Sequence, residues 1–174
     1  LRSAEDDVVS LPGGSIFCTC LVTQFVHTLE RIPDRFGGDA PVEGVIIEAS
    51  GIANPKVAER MLRETGLDER YAISTIVSIV DPGTFPLLVE SLPNIVAQVE
   101  ASDTVILNKV DAFDEQTVAS VEERVRRINP GVRVVRAVYC DVTLDVLAMP
   151  RYRGLDGEYA PCAAPIYARF TVGL

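Results

Sequence analysis

The stretch Val105-Ile106-Leu107-Asn108-Lys109-Val110-Asp111 decides how the rest of the chain is read. Three apolar residues run together and then give way to Asn108. A run that is apolar at consecutive positions suits a central strand of a parallel sheet covered on both faces. Three similar runs accompany it. They are Val45-Ile46-Ile47 ending at Glu48, Ile73 to Val80 ending at Asp81, and Val132 to Val138, interrupted by Arg133 and Arg136. Helical spacing fills the gaps between them. Val22, Phe25, Val26, Leu29 and Ile32 recur with the 3.6 period, and Pro33 is expected to stop that helix. Asn54 and Pro55 suit the N-cap and first turn of a helix burying Val57, Ala58, Met61 and Leu62, with Gly66 as its C-terminal cap. Asp114 suits the N-cap of a helix burying Val118, Val121, Val125 and Ile128, closed by Asn129-Pro130-Gly131. A further helix is expected over Pro93 to Ala101. Strand and helix alternate, which implies βαβ units with right-handed crossovers.

Composition sets the outer bounds. The chain has 174 residues, 48% of them hydrophobic and 24% charged, enough for one domain with a sizeable core and unlike a disordered or fibrous chain. Its net charge is −9 and it carries no basic patch, which argues against nucleic acid as a partner. No apolar stretch reaches the 18 residues that a spanning helix needs, so no membrane role is expected. Four cysteines at 18, 20, 140 and 162 do not form the pattern of a secreted disulfide framework, and a reducing cytoplasm is the expected location. Met149 to Pro165 holds three prolines and two glycines and reads as a linker. The expected division is a domain over 1–147, a linker over 148–165 and the start of a C-terminal domain over 166–174, with Ile166 to Val172 as one more strand.

Ligands of an open parallel sheet bind beyond the carboxyl ends of its strands. Glu48, Asp81 and Asn108 stand at that edge. Asn108-Lys109-x-Asp111 is the most specific signal there. The carboxylate of Asp111 is suited to accept two hydrogen bonds, from N1–H and the exocyclic amine of guanine. Adenine lacks that donor pair and would leave the charge unmatched. Asn108 is suited to tether neighbouring loops, and the Lys109 stem to lie over the base. A plain surface loop after a strand is the competing reading. Glu48, at the end of its own apolar run, suits a Walker B position that holds Mg²⁺ through water, and Gly51 lets backbone approach a terminal phosphate. A strand-end acid that caps a turn competes with that reading.

In this order along the chain, four stretches resemble the CobW-type GTPases, relatives of the UreG and HypB metallocentre-assembly GTPases. They are Leu11-Pro12-Gly13-Gly14-Ser15-Ile16-Phe17-Cys18-Thr19, Ile46-Ile47-Glu48-Ala49-Ser50-Gly51-Ile52-Ala53-Asn54-Pro55, Ser78-Ile79-Val80-Asp81-Pro82 and Gln98 to Asp111. The resemblance runs from about residue 7 to 147. It implies a P-loop GTPase-like fold, a three-layer α/β/α arrangement with a mostly parallel sheet. It implies hydrolysis of GTP with Mg²⁺, coupled to the handling of a metal or of a cobalamin cofactor for a client metalloprotein or cofactor enzyme. Glu48 and Gly51 would be the catalytic pair, with Gly51 in the switch that senses the γ-phosphate. Asn108, Lys109 and Asp111 would read guanine, and Ala137 to Tyr139 match the loop that flanks the base.

Two departures qualify these expectations. The family carries Gly-x-x-x-x-Gly-Lys-Ser/Thr on its first strand, and no such run exists between Leu1 and Leu174. The expected fold therefore lacks the first strand and the phosphate loop, Leu1 reads as an internal cut, and this chain alone is expected to bind nucleotide poorly and hydrolyse little of it. The family also carries Cys-x-Cys-Cys after a glycine pair. Here Ser15, Phe17 and Cys18 stand at the three places, with Cys20 close behind. Cys18 and Cys20 could hold Zn²⁺ or another transition metal weakly. A pair of small residues at a turn is the competing reading. His27, the sole histidine, has no spaced partner and is read as structural or solvent-facing. Two further functions stay open: a scaffold module that kept the architecture without turnover, and a metal carrier that needs no nucleotide.

Overall fold

The computed structural model describes residues 8–38, 40–145, 150 and 152–161. Its centre is a three-stranded parallel sheet of β1 (Val77–Val80), β2 (Thr104–Leu107) and β3 (Arg133–Arg136), in that spatial order. All four residues of β2 are buried, the result expected for an apolar run covered on both faces. Helices α3 (Phe85–Ser91) and α4 (Pro93–Ala101) connect β1 to β2, and α5 (Glu115–Ile128) connects β2 to β3. Val80, Phe85, Val89, Val99, Val105, Leu107, Val118, Val121, Val125 and Val132 form one core cluster. A parallel sheet joined by helices is an α/β architecture of the P-loop GTPase type.

Helix α5 starts where its sequence says it should. Asp114 accepts the Thr117 N–H at 2.8 Å, and Val118, Val121 and Val125 are buried. Asn129 ends it and turns inward. Its side-chain amide donates to the carbonyls of Val99 and Ser102, both at 3.0 Å, fastening α5 to the end of α4.

A second cluster lies before the sheet, built from α1 (Val22–Phe36) and α2 (Ala58–Thr65). It includes Phe17, Phe25, Leu29, Ile32, Val57, Met61 and Leu62. A short 3₁₀ turn, Pro55–Val57, leads into α2 with Asn54 accepting the Lys56 N–H at 3.1 Å, and Gly66 closes α2 at φ +70°. Helix α1 departs from expectation. It runs through Pro33 to Phe36 rather than stopping there. Proline at position 33 deprives the Leu29 carbonyl of its helical donor. The Tyr71 hydroxyl, 42 residues away in sequence, donates to that carbonyl at 2.7 Å instead.

The run Val45-Ile46-Ile47-Glu48 also departs from expectation. It forms no strand among the described residues. A strand exists by virtue of ladder partners, and no described strand pairs with this run. Ile46 is 86% exposed and Ile47 48%, so the burial that would favour a central strand is absent too. The run Ile73 to Val80 is a strand only from Val77 onward.

Residues 152–160 return to the domain and are tied to it. Glu59 accepts the backbone N–H groups of Arg153 at 2.7 Å and Leu155 at 3.0 Å. The Arg153 guanidinium donates to Asp103 at 2.6 Å and to the carbonyls of Ile73 and Ser74 at 3.0 and 2.8 Å. Tyr159 donates to Glu64, and Ala160 forms a parallel bridge with Cys18. The strand expected over Ile166 to Val172, and the domain expected to begin there, lie outside the described residues.

Candidate functional site

The carboxyl ends of β1 and β2 and the loop after β3 converge on one cluster. The Asn108 N–H donates to Val80 O at 2.9 Å, so the strand pairing continues one residue past Leu107. The Asn108 side chain then reaches sideways, and its Oδ1 accepts the Cys140 N–H at 2.8 Å. Ala137 closes the other side. Its N–H donates to Leu107 O at 2.8 Å and its carbonyl accepts from Val110 N–H at 3.3 Å. Three segments that are remote in sequence are thus fastened around Asn108.

Lys109 occupies a left-handed backbone conformation, φ +61°. Such a conformation costs a non-glycine residue about 1–2 kcal/mol and persists only where neighbours enforce it. The bonds at Asn108 and Val110 do so, and the Ala112 N–H adds a third by donating to Lys109 O at 3.0 Å. The turn swings the lysine back over the sheet edge. Its Nζ donates to Asp81 Oδ2 at 2.8 Å. The Lys109 ammonium lowers the Asp81 carboxyl below the usual carboxylate range, helped by the Gly83 N–H, which donates to Asp81 Oδ1 at 2.8 Å. The same bond raises the Lys109 ammonium above its ordinary value. Asp81 had a place at the strand edge in the sequence but no role. The signal was present in its position at the end of an apolar run, 28 residues before Lys109.

Gly83 is required here by close approach. A Cβ at this position would meet the Phe113 ring at 2.7 Å. The ring packs over the turn after β1, so Asp81 and the segment after Lys109 are held from both sides. Asp111 lies on a 3₁₀ turn, Val110–Ala112, and is exposed, its carboxylate open to a ligand. The loop after β3 carries Tyr139 and Cys140 at φ +52° and +55°, two consecutive left-handed residues.

Glu48 and Gly51 stand on a different segment. Glu48 is exposed on the unpaired run, and Gly51 O accepts from the Gln98 side chain at 2.9 Å. That amide also donates to Ala53 O at 2.9 Å, while Asn94 donates to Ile52 O at 2.7 Å, so α4 holds the segment after Gly51 in place. None of these bonds joins Glu48 or Gly51 to the Asn108 cluster.

Cys18 is a buried free thiol, and Cys20 is disulfide-bonded. A sulfur in a disulfide is no thiolate ligand, so the two do not present a dithiol pair in this structure. Among the described residues no group of three or more His, Cys, Asp or Glu side chains could hold a metal ion. His27 is exposed and contacts Glu30 at 2.9 Å. Among the described residues no helix is long and apolar enough to cross a membrane.

Comparison with known proteins adds what geometry alone does not. Residues 1–136 match the family model described as CobW/HypB/UreG, nucleotide-binding domain. The chain is 26% identical to the zinc-regulated GTPase metalloprotein activator 1 of Dictyostelium discoideum, over 79% of this chain and 33% of that protein. It is 25% identical to the zinc chaperone CobW of Pseudomonas aeruginosa, over 90% of this chain and 46% of that protein. The chain thus spans less than half the length of either relative. No solved structure matches it significantly.

Proposed function

The chain belongs to the CobW/HypB/UreG family, matched over its nucleotide-binding domain, and from that premise we propose that it carries the guanine-reading edge of a GTP-binding protein that serves metal delivery. The observation that supports this most directly is the Asn108 cluster. The Asn108 N–H joins the ends of two neighbouring strands, its side chain holds the 137–140 loop, and Lys109 and Asp111 stand on the rim. A carboxylate there can take the paired donors of guanine, and the lysine stem can cover part of one ring face.

The chemistry proposed for the whole protein is attack of water on the γ-phosphate. Mg²⁺ supplies charge neutralisation when bound, keeps most of its waters and takes few protein oxygens. Glu48 is a single exposed carboxylate and fits only as a partner through water. Gly51, held from behind by Gln98, fits a backbone approach to phosphate. The relatives are named for zinc, and zinc or another transition metal is proposed as cargo for a client metalloprotein. Among the described residues no group of three or more His, Cys, Asp or Glu side chains could hold that metal. A link to cobalamin enzymes is a narrower form of the same proposal, and cytoplasmic action belongs with it.

Calorimetric titration of the protein with GTP, GDP and ATP in the presence of Mg²⁺ tests the nucleotide reading. Guanine nucleotides should bind and ATP should not, and Asp111→Asn should move the preference to xanthosine nucleotides. Equal binding of GTP and ATP, or an Asp111→Asn variant that keeps its guanine preference, overturns it.

A further inference from the structure

Gly157 lies against the backbone of the short turn that follows Asn54. A Cβ at this position would meet Lys56 Cβ at 2.8 Å, the Lys56 carbonyl carbon at 2.9 Å and Val57 N at 3.0 Å. Glycine is what lets two backbones approach this closely. The turn, Pro55–Val57, runs straight into α2, and α2 grips the rest of the returning segment. Glu59 accepts the N–H groups of Arg153 and Leu155, and Glu64 accepts from the Tyr159 hydroxyl. The guanidinium groups of Arg60 and Arg63 lie over the rings of Tyr159 and Tyr152, 5.6 and 5.3 Å from their centres. Arg153 is the deep anchor, held by Asp103 and by the carbonyls of Ile73 and Ser74 at the start of the sheet.

The same turn ends the segment that begins at Gly51. Helix α4 holds that segment from its other side. Gln98 donates to the carbonyls of Gly51 and Ala53, Asn94 donates to that of Ile52, and Glu100 pairs with Lys56. Lys56 is therefore held twice, by Glu100 at its tip and by Gly157 at its backbone. A contact at the van der Waals limit has no slack, and a helix transmits displacement along its length, so a shift at Gly51 to Ala53 reaches Gly157 through the turn and Leu155 through Glu59. We propose that residues 155–160 form an arm that moves with the segment from Gly51 to Val57, turning on Arg153, so that a phosphate held at Gly51 changes how the arm is held. The ligand in this proposal rests on the phosphate reading of Gly51; the mechanics rest on Gly157 and Glu59.

The test is native-state amide exchange on the full chain, with no nucleotide present. Gln98→Met removes the bonds to the Gly51 and Ala53 carbonyls and touches no residue of the arm. It should accelerate exchange of the Leu155 N–H by at least about five-fold, the lower end of ordinary coupling between sites. Gly157→Ala works from the other end. It should accelerate the Ala53 N–H, which donates to Ser50 O at 2.8 Å, by a comparable factor, because coupling is reciprocal. The Ala137 N–H, bonded to Leu107 O in the sheet, reports opening of the whole domain and should keep its parent rate in both variants. In the unaltered protein, at alkaline pH where every opening leads to exchange, Ala53 and Leu155 should open at one rate. If each variant disturbs only its own side, or the two amides open at different rates, the arm is not coupled and the proposal falls. Acceleration at Ala137 equal to that at Leu155 also overturns it, because the domain then opens as one body. Either failure leaves the nucleotide reading standing, since no nucleotide enters the measurement. An Asp111→Asn variant that keeps its guanine preference overturns that reading and not the coupling.

Discussion

Lys109 and Asp81 join the ends of neighbouring strands through one charge-assisted bond of 2.8 Å. Lys109 is mostly exposed and Asp81 about a quarter so, which makes the pair worth little for folding. Its value lies in direction, because it fixes the far end of a flexible stem. Asp81→Asn should therefore leave the melting temperature nearly unchanged while weakening GDP binding several-fold, corresponding to roughly 1 kcal/mol at most. Parallel thermal and calorimetric titrations check this. Equal loss of stability and affinity would mean that Asp81 supports the fold and not the lysine.

The same pair sets a pH dependence. Asp81 is depressed in the folded protein, first by Lys109 and then by the Gly83 N–H. A depressed carboxylate contributes above its unfolded value and loses that contribution as pH falls through its folded one. GDP affinity should therefore hold from about pH 8 down to about pH 5 and decline only below the ordinary aspartate range near 4. Carboxyl NMR titration of Asp81 gives the direct reading. Lys109→Met should raise its midpoint toward the ordinary value, and an unchanged midpoint would assign the depression to the Gly83 bond alone.

Asn108→Ala removes the acceptor of the Cys140 N–H, a bond between groups that are partly buried. The expected cost is about 1–2 kcal/mol of global stability. The local effect should be larger, because the left-handed residues 139 and 140 depend on that staple. Amide exchange at Cys140 should accelerate well beyond that at Ala137, whose bond to Leu107 O is retained. Uniform acceleration across the sheet would argue against a local role.

Much of this architecture could be read from apolar runs and caps. Val105 to Leu107 and the Asp114 cap are local signals, and local signals translate directly into local structure. Pro33 shows where that translation stops. Its sequence context says helix end, yet the helix continues because a hydroxyl 42 residues away satisfies the orphaned carbonyl. Val45 to Glu48 shows the converse, an apolar run with no described ladder partner. Asp111 is legible because a tetrapeptide carries it. The partnership of Lys109 with Asp81 is not, because a side-chain bond between strand ends has no periodicity.

The compensation at Pro33 makes a sharp prediction. Tyr71→Phe removes the donor to Leu29 O and should destabilise the protein by about 1–3 kcal/mol. In a Pro33→Ala background the helix regains its own N–H at that position. Tyr71→Phe should then cost clearly less, and urea denaturation of the four proteins measures the difference as a coupling energy. Additive effects would mean that the Tyr71 hydroxyl does not compensate for Pro33.

Arg153 offers the contrast between a buried charge and a surface one. Its side chain is 6% exposed and faces Asp103, with Glu59 at 3.9 Å. Glu59 also accepts the backbone N–H of Arg153 and of Leu155. Arg153→Met would take the guanidinium from the partly buried Asp103, which still accepts the Ile76 N–H at 2.8 Å, and one donor from each of the carbonyls of Ile73 and Ser74. The expected cost is about 3–5 kcal/mol, a large part of a domain's usual stability. Arg127 forms a bond of 2.5 Å to Glu123 on the surface of α5, with both side chains mostly exposed. Arg127→Ala should cost no more than about 0.5 kcal/mol despite the shorter distance. Denaturant midpoints of the two variants compare them directly. A similar loss in both would show that residues 152–160 merely rest on the domain, whereas the larger loss at Arg153 makes that segment part of its folding unit.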